Sequence, residues 1–350
     1  MIMESLNIKY RPTRFEDVCG QSITVKSLNK VIETGQLKNA YLFAGDSGCG
    51  KTTLARIFAN EINKGLGSPI EIDAASNNGV DQVRAIIDSA NERDLSAEYK
   101  IFIIDECHAI TSQGWQAFLK GIEEPPKFTV FMFCTTEPSK IPATILNRVQ
   151  RYNVTKISSE EILNRLRWIC SQEGFTNYEK TCELISKTCR GCMRDAVTSL
   201  DKCSSLSHDL TLENVKDLLG GISYETMFNL TWALTKQDAE SKDVTKALCI
   251  IDEIAASGTD LRHFVDEYLS FALDLLKFTK MKNIKLTNIP EYLNADGNKV
   301  VDYTIAIENA SSVFASLIDC LLDMKQMIKN DISYKDTIEA CLLRFQLEGE

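Results

Sequence analysis

Hydrophobic positions follow two different rhythms along this chain. Up to about residue 152, short apolar runs at Ala40–Ala44, Ile70–Asp73, 101–105, 130–134 and 149–152 alternate with stretches whose apolar residues recur every three or four positions. Runs this short and this apolar read as buried strands, and the amphipathic stretches between them as crossover helices. The alternation predicts a parallel five-stranded sheet covered by helices on both faces.

Beyond Tyr152 the strand-like runs stop. Ser158 and Glu161 have capping-box spacing ahead of Ile162, Leu163, Leu166, Ile169 and Cys170, which share one helical face. Further helices are expected near 178–188, Met193–Leu206 and 212–219, with Gly220-Gly221 releasing the chain from helix. From Tyr224 the helical pattern returns through Leu248, Ile251, Ile254 and Ala255 before Gly258, then Leu261, Phe264, Val265, Tyr268 and Leu269. A long loop is expected over 283–302, which contains Pro290 and Asp296-Gly297-Asn298. Helix resumes at Val313, Phe314, Leu317, Ile318, Leu321 and Leu322. Three domains are therefore expected: 1–154 α/β, 155–222 a small helical unit, and 223–350 a second helical unit.

Composition narrows the function classes. The 350 residues are 44% hydrophobic and 25% charged, the values of a folded globular protein. No run reaches the roughly 18 apolar residues a membrane span needs, and Met1-Ile2-Met3-Glu4-Ser5 lacks the regions of a signal peptide, so a cytoplasmic protein with no membrane partner is expected. The twelve cysteines have no regular spacing, as expected of reduced, buried thiols. Cys189 and Cys192 have C-x-x-C spacing, but no second pair completes a zinc site, and no zinc is expected. A formal charge of -10 argues against nonspecific coating of nucleic acid, which draws on Lys and Arg.

One motif is complete. Gly45-Asp46-Ser47-Gly48-Cys49-Gly50-Lys51-Thr52 matches G-x-x-x-x-G-K-[ST] between an apolar strand and a helix, the context this motif requires. Its backbone amides would cradle phosphates, Lys51 would reach the terminal phosphates, Thr52 would offer its hydroxyl to Mg²⁺, and Thr53 follows at the helix start. The run 101–106 ends in Asp105-Glu106 at the carboxyl edge of the sheet, where ligands of such sheets bind. Asp105 is the candidate Mg²⁺ ligand and Glu106 the candidate group that orients or deprotonates an attacking water. ATP and Mg²⁺ are thus the expected cofactors. Asp105-Glu106-Cys107-His108 also spells a DExH box, but a helicase of that kind has a second RecA-like domain, and the chain after Tyr152 reads as helical.

Further along, the residues resemble the bacterial DNA polymerase III gamma/tau subunit, the AAA+ ATPase of the sliding-clamp loader, over roughly 8–270. Tyr10-Arg11-Pro12, Phe15-Glu16-Asp17-Val18 and Gly20-Gln21 are similar to the family's opening segment around the adenine, making Tyr10 and Val18 pocket candidates. Glu71-Ile72-Asp73-Ala74-Ala75-Ser76 with Gly79-Val80 resembles a signature ahead of a DNA-facing helix. Ser76, Asn77 and Asn78 are then candidate phosphate contacts or, equally, plain helix caps. Ser112 opens a helix ending in Glu123-Glu124-Pro125-Pro126, and is a further DNA candidate. Phe133-Cys134-Thr135-Thr136 looks like the sensor 1 strand end, with Thr136 facing the γ-phosphate. Arg148 stands where the family has its arginine finger, although the flanking Ser and Cys are replaced by Asn147 and Val149. Gly191-Cys192-Met193-Arg194-Asp195-Ala196 resembles the sensor 2 motif, with Arg194 acting in cis.

The resemblance implies a P-loop AAA+ α/β domain, then an α-helical lid and an α-helical collar. It implies partners as well: primer-template DNA held by its phosphate backbone, a sliding clamp, and other loader subunits in a pentameric ring or spiral. Asn63-Lys64-Gly65-Leu66-Gly67-Ser68-Pro69 spans the place of the family's zinc module, and the long tau extension is not expected. A non-hydrolysing scaffold subunit of the same loader, or a DExH-type helicase or initiator ATPase, are the alternatives.

Overall fold

The computed structural model describes residues 4–215, 224–235, 244–257, 259–283, 287–289, 304, 307, 309–328 and 334–348. They form two compact units, one of residues 1–178 and 189–208 and one of 179–188 and 209–350.

The first unit is built on five parallel strands, β1 (Ala40–Ala44), β2 (Ile70–Asp73), β3 (Lys100–Asp105), β4 (Thr129–Thr135) and β5 (Gln150–Asn153), in the order β2-β3-β4-β1-β5. Its helices are α1 (Leu6–Lys9), α2 (Ser22–Thr34), α3 (Lys51–Ile62), α4 (Val80–Ala90), α5 (Ser112–Glu123), α6 (Ala143–Leu146), α7 (Ser159–Glu173) and α9 (Met193–Leu206). Residue alternation divides the sheet between two cores. Tyr41, Phe43, Ile101, Ile103, Val130 and Met132 pack with Leu28, Leu54 and Phe58 from α2 and α3. Leu42, Phe102, Ile104, Phe131 and Phe133 pack with Val83, Trp115 and Phe118 from α4 and α5. Phe118 meets Phe131 and Phe133 edge-on at 5.8 and 5.4 Å. Both faces are therefore buried, which explains why the strands read as continuous apolar runs.

Helices α7 and α9 bury Ile162, Leu166, Ile169, Ala196, Val197 and Leu200. The amino-terminal segment is strapped onto them. Ser5 donates to Asp201 at 2.8 Å, Asn7 to Thr198 at 2.7 Å, and both Lys9 and Tyr10 donate to Glu173. Gln21 adds a two-way clasp, donating to the Thr155 carbonyl at 2.6 Å and accepting from its amide at 3.1 Å.

The second unit contains α8 (Glu179–Thr188), α10 (Leu212–Val215), α11 (Tyr224–Thr235), α12 (Val244–Ala256), α13 (Leu261–Met281), α14 (Ala310–Ile328) and α15 (Tyr334–Glu348). Phe228, Ile251, Phe264, Tyr268, Phe271, Phe314, Leu317 and Leu321 form its core. Buried Asp274 accepts from Lys277 and from the Asn288 amide. The expected helix end at Gly220-Gly221 and most of the 283–302 loop lie outside the described residues. No described helix is long and apolar enough to cross a membrane.

The Ser158 hydroxyl accepts from the Glu161 amide while the Glu161 carboxylate accepts from the Ser158 amide, a complete capping box at the start of α7. Ser158→Ala is expected to lower stability by about 1 kcal/mol in urea unfolding of the first unit's transition.

Candidate functional site

At the carboxyl edge of the sheet, β1 runs into the glycine-rich turn and α3. Gly45 lies so close to the chain leaving β5 that an added Cβ would be 2.0 Å from the Val154 carbonyl oxygen. Gly50, at φ 103°, turns the backbone into α3 in a conformation that L side chains rarely adopt. Lys51 is buried, and its Nζ donates to the Asp46 carbonyl at 3.0 Å, inside the turn. The Thr52 hydroxyl donates to Asp105 Oδ2 at 2.7 Å, which ties the first turn of α3 to the end of β3.

The next residue, Glu106, sits in the left-handed region at φ 46° and ψ 41°. That conformation costs a non-glycine residue roughly 1 kcal/mol or more, and such costs concentrate at functional sites. Its Oε2 accepts from the Thr136 hydroxyl at 3.3 Å and lies 3.3 Å from His108 Nδ1. Thus the ends of β3 and β4 meet at this carboxylate.

A cavity of about 270 Å³ opens over this edge. The turn from Ser47 to Thr53, with Asp105 and Glu106, lines one end; Tyr10, Arg11, Pro12, Val18 and Cys19 line another; Arg165, Met193, Arg194 and Val197 come from α7 and α9. The polar end matches phosphates, and the half-apolar end matches a flat heterocycle. Tyr10 presents its ring here while its hydroxyl is tied to Glu173 at 2.5 Å.

The fold thus gathers Tyr10, Val18, Gly48, Cys49, Gly50, Lys51, Thr52, Thr53, Asp105, Glu106 and Arg194 around one space, with Thr136 one hydrogen bond away and Gly45 behind the turn. Arg148 is not brought there. It is exposed after α6, where it pairs with Glu123 at 2.7 Å and donates to the Thr144 carbonyl at 2.8 Å. Ser76 and Asn78 are exposed in the β2-α4 turn, but none of the three candidates caps α4, whose N-cap is Gly79. Asn77 instead donates to the Asp73 carbonyl at 3.0 Å. The Asn78 carbonyl accepts from the Thr111 amide at 3.1 Å, so this turn lies against the start of α5, where Thr111 is the cap and exposed Ser112 the first residue.

Arg165 is a cavity residue that the sequence reading did not select. It donates to the Tyr10 carbonyl at 2.9 Å and stacks over Trp168 at 4.4 Å, joining α7 to the amino-terminal strap. Its only sequence signal is a cation one turn beyond the capping box, too common to stand out. The C-x-x-C pair also finds a place. Burial pushes the Cys189 thiol up to about 11, and burial together with a hydrogen bond to Asp195 pushes Cys192 up to about 12. Both therefore stay protonated near neutral pH, and Cys192 packs on the phosphate turn at Gly48.

Comparison with known proteins agrees with this geometry. A family described as "DNA polymerase III, delta subunit" matches residues 68–158. The chain is 35% identical to DNA polymerase III subunit tau of Bacillus subtilis over 300 residues, covering 79% of this chain and 52% of that protein. It is 31% identical to DNA polymerase III subunit gamma of Buchnera aphidicola subsp. Schizaphis graminum, covering 75% of this chain and 77% of that one. With the gamma subunit of Buchnera aphidicola subsp. Acyrthosiphon pisum, identity is 29% and coverage 96% of both. A solved structure of Thermotoga maritima RuvB superposes with a TM-score of 0.51 at 19% identity, covering 72% of this chain and 86% of that one.

The parallel sheet, phosphate turn, acidic strand end and following helices define a P-loop AAA+ fold. Within that class, the chain belongs to the DNA polymerase III gamma/tau subunit family. It spans about half the length of the Bacillus subtilis and Mycoplasma genitalium relatives.

Gly48 combines φ 67° with an added Cβ 2.0 Å from Cys192 Sγ. Gly48→Ala is expected to weaken binding of a fluorescent ATP analogue about tenfold, since left-handed strain alone is worth 1–2 kcal/mol. Adding Cys192→Ala should recover part of the loss, because it removes the collision and leaves the strain.

Proposed function

We propose that this chain is the ATPase motor subunit of a DNA sliding-clamp loader, acting in the cytoplasm. In this reading it binds ATP in the cavity and hydrolyses it when a neighbouring subunit completes the site. The observation that carries the reading is the Thr52 to Asp105 hydrogen bond, which joins the phosphate turn to the acidic strand end beside Glu106.

The donors at that point are oxygens, a hydroxyl and a carboxylate, and they suit a hard cation such as Mg²⁺. When bound, Mg²⁺ would neutralise charge on the terminal phosphates. Thr52 and Asp105 would hold it, and no zinc enters the reading. Lys51 would leave the Asp46 carbonyl for the phosphates, and the amides of 48–52 would take their oxygens. Tyr10 and Val18 would face the base. Glu106 would orient the attacking water and accept its proton, with Thr136 fixing the carboxylate. Arg194 would reach the phosphates from α9, so that nucleotide state biases lid position.

Arg148 is assigned to the site of an adjacent subunit. Its exposure and its absence from the lining of its own cavity support that role, as Glu123 and Thr144 hold the guanidinium at the surface. Hydrolysis would then depend on assembly, in a ring or spiral of five subunits held by the carboxyl-terminal helices. The domain organisation is 1–154, 155–222 and 223–350 in this reading. The ATP-bound assembly would grip a sliding clamp and primer-template DNA, and hydrolysis would release both. DNA contacts would be to phosphates and salt-sensitive, through Ser76, Asn77, Asn78 and Ser112 beside the starts of α4 and α5.

ATPase assays with primer-template DNA, a clamp and partner subunits test the proposal. Lys51→Ala is expected to lose nucleotide binding and turnover together. Arg148→Ala should bind nucleotide within about twofold of the parent and lose roughly 10³-fold in stimulated turnover, the scale of a missing arginine finger. Undiminished turnover in Arg148→Ala would remove the assignment in trans.

A further inference from the structure

The DExH spelling of 105–108 left His108 without a role, and the structure gives it an unusual position. Its side chain, 19% exposed, lies between two carboxylates: Nδ1 is 3.3 Å from Glu106 Oε2 and Nε2 is 3.5 Å from Glu137 Oε1. Nδ1 is also 3.2 Å from the Thr135 hydroxyl, which accepts from the Glu137 amide at 3.0 Å. Lys140 closes the set by pairing with Glu137 at 2.8 Å.

The two carboxylates belong to different parts of the site. Glu106 directly follows β3, beside the phosphate turn. Glu137 opens the short segment that runs through Pro138–Lys140 and α6 to Arg148. Twelve residues of chain, from His108's second contact at Glu137 to Arg148, thus lie between this imidazole and the residue assigned to a neighbour's site.

We propose that His108 is a positioning residue that couples the orientation of Glu106 to the segment carrying Arg148. Carboxylates only accept, and an imidazole with one proton donates to one of them at a time. A displacement of Glu137 when Arg148 engages an adjacent subunit therefore changes the hydrogen bonding left for Glu106. Engagement at one interface would set the water-orienting carboxylate in the subunit that supplies the arginine. His108 touches neither nucleotide nor water in this scheme. It acts through Glu106, so the inference rests on the ATPase reading above.

Steady-state ATPase kinetics in the assembled complex test it, alongside nucleotide affinity and thermal midpoint. His108→Ala is expected to lower kcat about tenfold with KM and nucleotide affinity within about twofold, the pattern of a misplaced catalytic group. His108→Asn, which keeps a polar atom where Nδ1 lies, should return most of that loss. Glu137→Gln, on a side chain 45% exposed, should fold and lower kcat about threefold alone while adding nothing in the His108→Ala background. Wild-type kcat in His108→Ala, or a full additive effect of Glu137→Gln, would overturn the coupling while leaving the ATPase reading standing. A parent complex that hydrolyses no ATP would take down both. If His108→Ala does not fold, an unchanged kcat in Glu137→Gln overturns the coupling by itself.

Discussion

The structure turns on one hydrogen bond at the carboxyl edge of the sheet, from the Thr52 hydroxyl to Asp105. It is possible only because β1 and β3 run parallel on either side of β4, so that the phosphate turn and the acidic strand end emerge at the same edge. An antiparallel partner would send one of them to the opposite end. The two apolar cores hold that register, and the glycines at 45 and 50 let the chain turn between strands that are already packed.

Above this edge, the amino-terminal strap and the helices α7 and α9 act together. Tyr10 and Lys9 bind Glu173 and Arg165 binds the Tyr10 carbonyl, so the Tyr10 end of the cavity is fixed to α7, which packs with the α9 helix that carries Arg194, while Gln21 clasps Thr155. In the proposed reading, contact with both ends of a nucleotide would let those helices favour one nucleotide state over another, which is the physical requirement for a ligand-driven shift. Cys192 against Gly48 makes that seam tight, and its burial keeps the thiol protonated.

Much of the fold was legible because its signals are local. Strands buried on both faces stand out as apolar runs, and their ends differed by a residue or so, as at β4 and β5, where Thr129, Thr135 and Asn153 are polar residues that still pair in the sheet. The phosphate turn and the Asp105-Glu106 pair were legible for the same reason, since each is one contiguous string. Arg165, Gln21 and His108 were not, because their significance comes from partners 134 to 155 residues away or from a strand end that only the fold supplies. Ser76, Asn77 and Asn78 show the reverse problem: cap-forming residue types stand before a helix that uses glycine instead.

In the proposed mechanism, a nucleotide held by one subunit is cut with an arginine from the next. Mixing Lys51→Ala subunits with Arg148→Ala subunits tests it most directly, because each lacks a different half of the site. If the claim holds, two inactive preparations regain ATPase activity on mixing, at interfaces where an intact phosphate turn meets an intact Arg148. A mixture as inactive as its components, in assemblies shown to contain both, would contradict it.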